Sequence, residues 1–137
     1  MSRPIVIDSS VAVKWFEEPT ESGAAEAFSL LDAHRDGDVL LAAPTHLILE
    51  VLNALRLSPI SADELAQVAL ELERFAIAWV DITTGLASNA ARVARKHGLT
   101  VYDATFVATA LMLDAELITD DKAILRSGAC RMRALTG

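Results

Sequence analysis

Short runs of apolar, often β-branched residues alternate along this chain with longer stretches in which apolar residues recur every three or four positions, the pattern of strands separated by helices. "PIVID" reads as a first strand ending in Asp8, and "SSVAVKWF", capped by Ser9 or Ser10, as a short apolar helix. From about Glu21 to His34, Ala24, Ala27, Phe28 and Leu31 form the stripe of an amphipathic helix that "DGD" breaks. "VLLAA" is a buried strand, after which Pro44 opens a helix through "THLILEVLNALRL" and "LSPIS" closes it. Ser61 and Glu64 make a capping box for a helix carrying Leu65, Val68, Leu72 and Phe75. "AIAWVDI" is a third strand; Thr83 or Thr84 starts the next helix and Gly98 ends it. Beyond Thr100, "YDATFVATALML" is a helix, "ELIT" a strand, "DDKAIL" a short helix and "CRMRAL" a last strand.

This alternation predicts an α/β fold with a mostly parallel central sheet and helices on both faces. No repeat, low-complexity segment or linker interrupts it, so residues 1–137 read as a single domain. A chain of 137 residues with 53% hydrophobic content can bury a core without disulfides or a structural metal. The single Cys130 has no partner for an internal disulfide, which suits a reducing compartment and a cytoplasmic address. Asp8 interrupts the only place for a signal peptide's apolar region, and no uncharged apolar run is long enough to span a bilayer, so no membrane association is expected.

Net charge is −7, which argues against a polyanionic substrate until its distribution is considered. Residues 1–83 hold 14 acids and 5 Lys or Arg, whereas residues 84–137 hold 5 acids and 7 Lys or Arg. Arg92, Arg95, Lys96, Lys122, Arg126, Arg131 and Arg133 either line one modest basic surface or are scattered solvated charges.

Glu50 stands out because it is framed by Leu47, Ile48, Leu49, Val51, Leu52, Ala54 and Leu55; an unpaired carboxylate on an apolar helix calls for compensation. Three other acids fall where a parallel sheet collects ligands: Asp8 ends the first strand, Asp103 opens a helix and Asp121 lies just beyond "ELIT". A divalent cation would compensate all four, and Mg²⁺ or Mn²⁺ needs only carboxylate and water oxygens. Taken singly, each acid has a plainer reading. Asp8 and Asp103 fit as helix caps, Asp121 as a first-turn surface acid, and Glu50 as the partner of His46 one turn earlier. His34, His46 and His97 have no metal-ligand spacing and read as a surface, a first-turn and a last-turn histidine.

Taken together, "VIDSSVAVKWF", "LEVLNAL", "GLTVYDATFVATAL" and "ELITDDKAIL" resemble, in order and approximate spacing, the PIN-domain ribonucleases, and among them the VapC-type toxins of toxin-antitoxin pairs. The resemblance covers nearly the whole chain and implies a PIN-like domain. It places the family's acidic quartet, as catalytic metal ligands, on Asp8, Glu50, Asp103 and Asp121. Ser10, Asn53 and Thr119 take the family's supporting polar positions, and Asp120 falls at a variable one. It further implies Mg²⁺, with Mn²⁺ as substitute, and in-line hydrolysis of single-stranded or looped RNA, often transfer RNA. The implied partners are a cognate antitoxin protein and a second copy of the chain in a homodimer. Trp15 and Phe16 are equally compatible with the core and with a share of an antitoxin groove.

The alternatives differ in stated ways. A haloacid-dehalogenase-like phosphatase wants D-x-D where this chain has "DSS"; a receiver module wants paired acids there; and neither GxGxxG nor GxxxxGK[ST] is present for a nucleotide. A PIN-fold RNA-processing protein that is not a toxin, or one that only binds a partner, is the remaining alternative.

Overall fold

Ile5, Val6 and Ile7 follow one another in the first strand, and all three are fully buried in the computed structural model, which describes residues 2–136. Successive strand side chains point to opposite faces, so this strand is covered on both. It is β1 (Arg3–Ile7), the centre of a five-stranded sheet with β2 (Val39–Pro44), β3 (Ala78–Val80), β4 (Glu116–Thr119) and β5 (Met132–Ala134). The order is β3-β2-β1-β4-β5, and every pairing is parallel. The chain moves outward from β1 through β2 to β3, then returns across the sheet to β4 and β5. The direction of winding therefore reverses between β1 and β4, and it is outside the carboxyl ends of such strands that a crevice opens.

The intervening helices are α1 (Ser9–Ala12), continued by a 3-10 turn over Val13–Phe16, then α2 (Ala24–Arg35), α3 (Leu47–Leu55), α4 (Ala62–Arg74), α5 (Thr84–His97), α6 (Val101–Leu113) and α7 (Lys122–Ser127). Their ends follow local chemistry. The Ser61 hydroxyl accepts from the Glu64 N–H at 3.0 Å while Glu64 accepts from the Ser61 N–H, completing the expected capping box. Thr83 caps α5, and Gly98 closes it in the left-handed conformation, φ +67°. Seven consecutive residues of α6, Ala104 to Ala110, are buried. The alanines Ala90, Ala94, Ala104 and Ala108 let α5 and α6 approach closely around Leu86.

Three local expectations change, and the open choice for Trp15 is decided. Pro44 ends β2 rather than opening a helix. It pairs with Val80 of β3, past the last β1–β2 pair at Val6 and Ala42, where its missing N–H breaks no central ladder bond. Helix α3 begins only at Leu47, with His46 at its N-cap. Helix α2 starts at Ala24 rather than near Glu21, because residues 18–24 first form turns and Gly23 takes φ +87°. A Cβ at Gly23 would sit 3.1 Å from Thr136 Cγ2, so both backbone and packing favour glycine there. Trp15 belongs to the core: its indole N–H donates to the Ala27 carbonyl at 2.8 Å and its ring meets Phe75 edge-on. Phe16 is half-buried beside the same ring. His34 is a cross-link and not a surface residue. The Leu41 N–H donates to its Nδ1, so Nε2 carries the proton and reaches the Phe75 and Ala76 carbonyls at 3.1 and 3.2 Å. Among the described residues no helix is long and apolar enough to cross a membrane.

Candidate active site

Asp8 leaves β1 at the reversal point and occupies the N-cap position of α1, yet its side chain caps nothing. Its Oδ1 accepts from the Ser10 hydroxyl at 2.6 Å and its Oδ2 from the Thr119 hydroxyl at 2.5 Å. Each hydroxyl in turn accepts a backbone N–H from the turn after β4: Ser10 from Asp120 and Thr119 from Asp121, both at 2.9 Å. One short relay thus clamps each carboxylate oxygen and ties β1 to β4. Asp8 is only 3% exposed. Burial lifts its carboxyl from 3.8 to about 6, a rise that the Ser10, Thr119 and Val11 hydrogen bonds oppose and the Asp121 charge increases.

Glu50 is half-buried on α3. Its Oε1 accepts from the Ser9 hydroxyl at 2.9 Å. His46 Nε2 lies 3.8 Å from Oε2, but the same nitrogen lies 2.9 Å from the Tyr102 carbonyl, to which it donates. The histidine therefore fastens α3 to the start of α6, and the glutamate is not held in a private pair. Asp103 stands in the first turn of α6, which Thr100, not Asp103, caps. Its carboxyl is raised by burial, then by the charges of Asp121 and Glu50, against the Thr100 hydrogen bond and His46. Asp121 is the N-cap of α7, accepting the Ile124 N–H on Oδ1 at 2.9 Å. Its role as a cap thus engages one oxygen only.

The four acids therefore share one electrostatic neighbourhood built from β1, α3, α6 and the β4–α7 turn. Among the described residues none of them has a Lys or Arg within salt-bridge distance. That uncompensated charge suits a cation, and the all-oxygen donor set suits Mg²⁺ or Mn²⁺. Among the described residues, however, no three His, Cys, Asp or Glu side chains stand close enough to form a ready-made cage. The arrangement fits an ion that keeps several waters and takes one or two carboxylates directly, as Mg²⁺ does.

The remaining residues divide. Asp120 turns to the residues just past β5, its Oδ1 accepting the Leu135 and Thr136 N–H groups at 2.9 and 3.2 Å. Asn53 is exposed; among the described residues its amide group makes no hydrogen bond, and it lines a cleft of about 280 Å³ with His46, Leu49, Glu50 and Tyr102. Two of the expected basic residues are paired with acids, Arg131 with Asp114 and Arg133 with Glu116. Ser9 was foreseen only as a helix cap, although a second hydroxyl beside a strand-end aspartate is a signal that it has another use.

The sequence profile of the PIN domain matches residues 5–128. No curated protein matches the chain. Among solved structures it is similar to PAE2754 from Pyrobaculum aerophilum, at 22% identity and TM-score 0.69, over 96% of this chain and 92% of that one. It is also similar to a chain of a toxin-antitoxin complex from Klebsiella pneumoniae, at 19% identity and TM-score 0.69, over 96% and 97%. A third is VapC20 of Mycobacterium tuberculosis, a sarcin-ricin loop cleaving toxin, at 14% identity and TM-score 0.71, over 90% and 95%. At these identities the structural likeness is one of fold.

Proposed function

The chain belongs to the PIN domain family, and on that premise we propose that it is a divalent-metal-dependent endoribonuclease acting as the toxin of a toxin-antitoxin pair. The observation that carries the proposal is the clamped Asp8 carboxylate at the β1–β4 crevice, with Asp103, Asp121 and Glu50 in one neighbourhood that no Lys or Arg neutralises. These four side chains would hold the ion, in part through water. A divalent cation held there would supply charge neutralisation at the scissile phosphate and lower the pKa of water so that hydroxide is available near neutral pH.

The chain's own residues supply orientation. Ser10 and Thr119 keep both oxygens of Asp8 in fixed directions, Ser9 does the same for Glu50, and the His46 link to the Tyr102 carbonyl holds α3 against the turn that carries Asp103. No covalent nucleophile is required. The likeness to a toxin-antitoxin complex supports a cognate antitoxin as partner, and the likeness to a loop-cleaving toxin supports RNA as substrate. A homodimer is part of the same reading.

Purified protein, free of any antitoxin, should cut RNA with Mg²⁺ or Mn²⁺, and EDTA or Asp8→Asn should abolish cutting. Cleavage that needs no metal and survives the substitution would overturn the mechanism. Expression of the chain alone should arrest growth and Asp103→Asn should relieve the arrest; a wild type that is tolerated and still cuts RNA is a nuclease but not a toxin.

A further inference from the structure

Two large apolar side chains are strongly exposed where such exposure has no packing reason: Leu49 at 69% and Tyr102 at 68%. Each directly precedes an acid of the site in the chain, Leu49 before Glu50 and Tyr102 before Asp103. They stand on different helices, α3 and α6, and line one cleft together with His46, Glu50 and Asn53. The His46 ring lies roughly parallel to Tyr102, 29° between planes and 6.5 Å between centroids, and its hydrogen bond goes to the Tyr102 backbone, so the tyrosine stem is fixed while its ring is offered to solvent. Asn53 adds an amide with a donor and an acceptor, neither engaged among the described residues. Beyond it Arg56 is anchored by one N–H to the Asn53 carbonyl at 2.6 Å, which leaves its other N–H groups for an anion.

An aromatic face, an aliphatic wall, one amide and one flanking guanidinium form the set that receives a single unstacked nucleobase and its phosphate. We propose that this cleft is a nucleobase subsite for single-stranded RNA: one base beside the scissile phosphate stacks on Tyr102 against Leu49, the Asn53 amide reads its edge and Arg56 takes the adjoining phosphate. The proposal rests on the nuclease reading above, since it uses the same phosphodiester backbone. It also makes the cleft a source of sequence preference, because the amide discriminates between base edges while the stacking faces do not.

The test uses the full chain and a short single-stranded RNA carrying one 2-aminopurine, whose fluorescence falls when it stacks. With Asp8→Asn to prevent cleavage, the base next to the cut site should be quenched. Adding Tyr102→Phe should preserve the quenching and Tyr102→Ala should abolish it. In the cleaving protein, Tyr102→Ala should raise KM about tenfold with little change in kcat, and an abasic nucleotide at that position should remove the difference between the two proteins. Asn53→Ala should relax the preference for the base at that position. The Tyr102 side chain is exposed and its backbone carbonyl, which accepts from His46, is kept in every variant, so folding is not at issue. If the wild type cuts RNA while Tyr102→Ala changes neither KM nor quenching, the subsite is overturned and the nuclease stands. That holds also if the substitution weakens a protein partner instead. If the wild type cuts no RNA under any metal, the nuclease reading falls and takes the subsite with it.

Discussion

The Ser9 hydroxyl donates to Glu50 Oε1 at 2.9 Å across 41 positions of sequence. Because Ser9 follows Asp8 directly, this bond fixes the helix-borne glutamate relative to the strand-borne aspartate, which belongs to a different layer of the fold.

Ser9→Ala should therefore lower kcat on RNA about 10- to 100-fold, the usual effect of losing a group that orients a metal ligand. KM should change little, and Ser9→Thr should recover much of the activity. The titration of activity with Mn²⁺ separates positioning from mere structure: the alanine variant should need more metal for half-maximal rate, with thermal stability almost unaltered.

Thr119→Val keeps shape but removes the hydroxyl that donates to Asp8 and accepts the Asp121 N–H. At a site that is fully buried, the unsatisfied groups should cost about 1–3 kcal/mol in a denaturant melt. The hydrogen bond also holds the Asp8 carboxyl down against burial, so the acid limb of the pH–rate profile should move to higher pH.

Asp8 gives the metal-free protein a definite pH dependence. Its carboxyl rises from 3.8 to about 6 on folding, so the folded state holds a proton that the unfolded state has lost between those values. Stability should fall as pH rises from 3.8 through about 6, by about 3 kcal/mol in all, and level off above. Asp8→Asn should remove this dependence and stabilise the metal-free protein at pH 7 by about 1–2 kcal/mol, less than the full amount because an amide cannot accept from both hydroxyls. Metal requires the ionised carboxylate, so the rise in Tm produced by Mg²⁺ should grow as pH increases through the same range. Thermal melts across pH, with Mg²⁺ and with EDTA, check both signs.

Trp15→Phe should cost about 1–2 kcal/mol of stability, from the lost N–H bond to the Ala27 carbonyl and some lost packing against Phe75. RNA cleavage per folded molecule should be unchanged. A selective loss of affinity for a protein partner would instead give the indole a place in an interface.

What could be read without coordinates was whatever is encoded within a few residues. The Ser61–Glu64 box and the Gly98 terminator are local devices that act where their spacing predicted, and of the two candidate caps Thr83 and Thr84 it is Thr83 that acts. The alternation of strands and helices carried the parallel sheet in the same way. The start of α3 was misjudged because the pairing of Pro44 with Val80 is a tertiary event that overrides proline's usual place at a helix start. His34, Ser9 and Tyr102 were missed for a related reason. Their partners, Phe75, Glu50 and the ring of His46, are brought to them only by folding. The converse holds for Asp8, whose sequence context is that of a cap, and whose carboxylate instead accepts from Ser10 close by and from Thr119, 111 positions away.

That long span bears on when the site can be assembled. Asp8, Glu50 and Asp103 all precede β4 in the chain, but the Thr119 half of the clamp on Asp8 waits for β4 to pair beside β1, and for the turn after it to present the Asp120 and Asp121 N–H groups. Without β4 the chain has three of the four acids, Asp8, Glu50 and Asp103, and of the two bracing hydroxyls Asp8 has only that of Ser10. In the proposed nuclease the full clamp therefore exists only once β4 and the turn after it have joined a sheet already carrying β1 and β2.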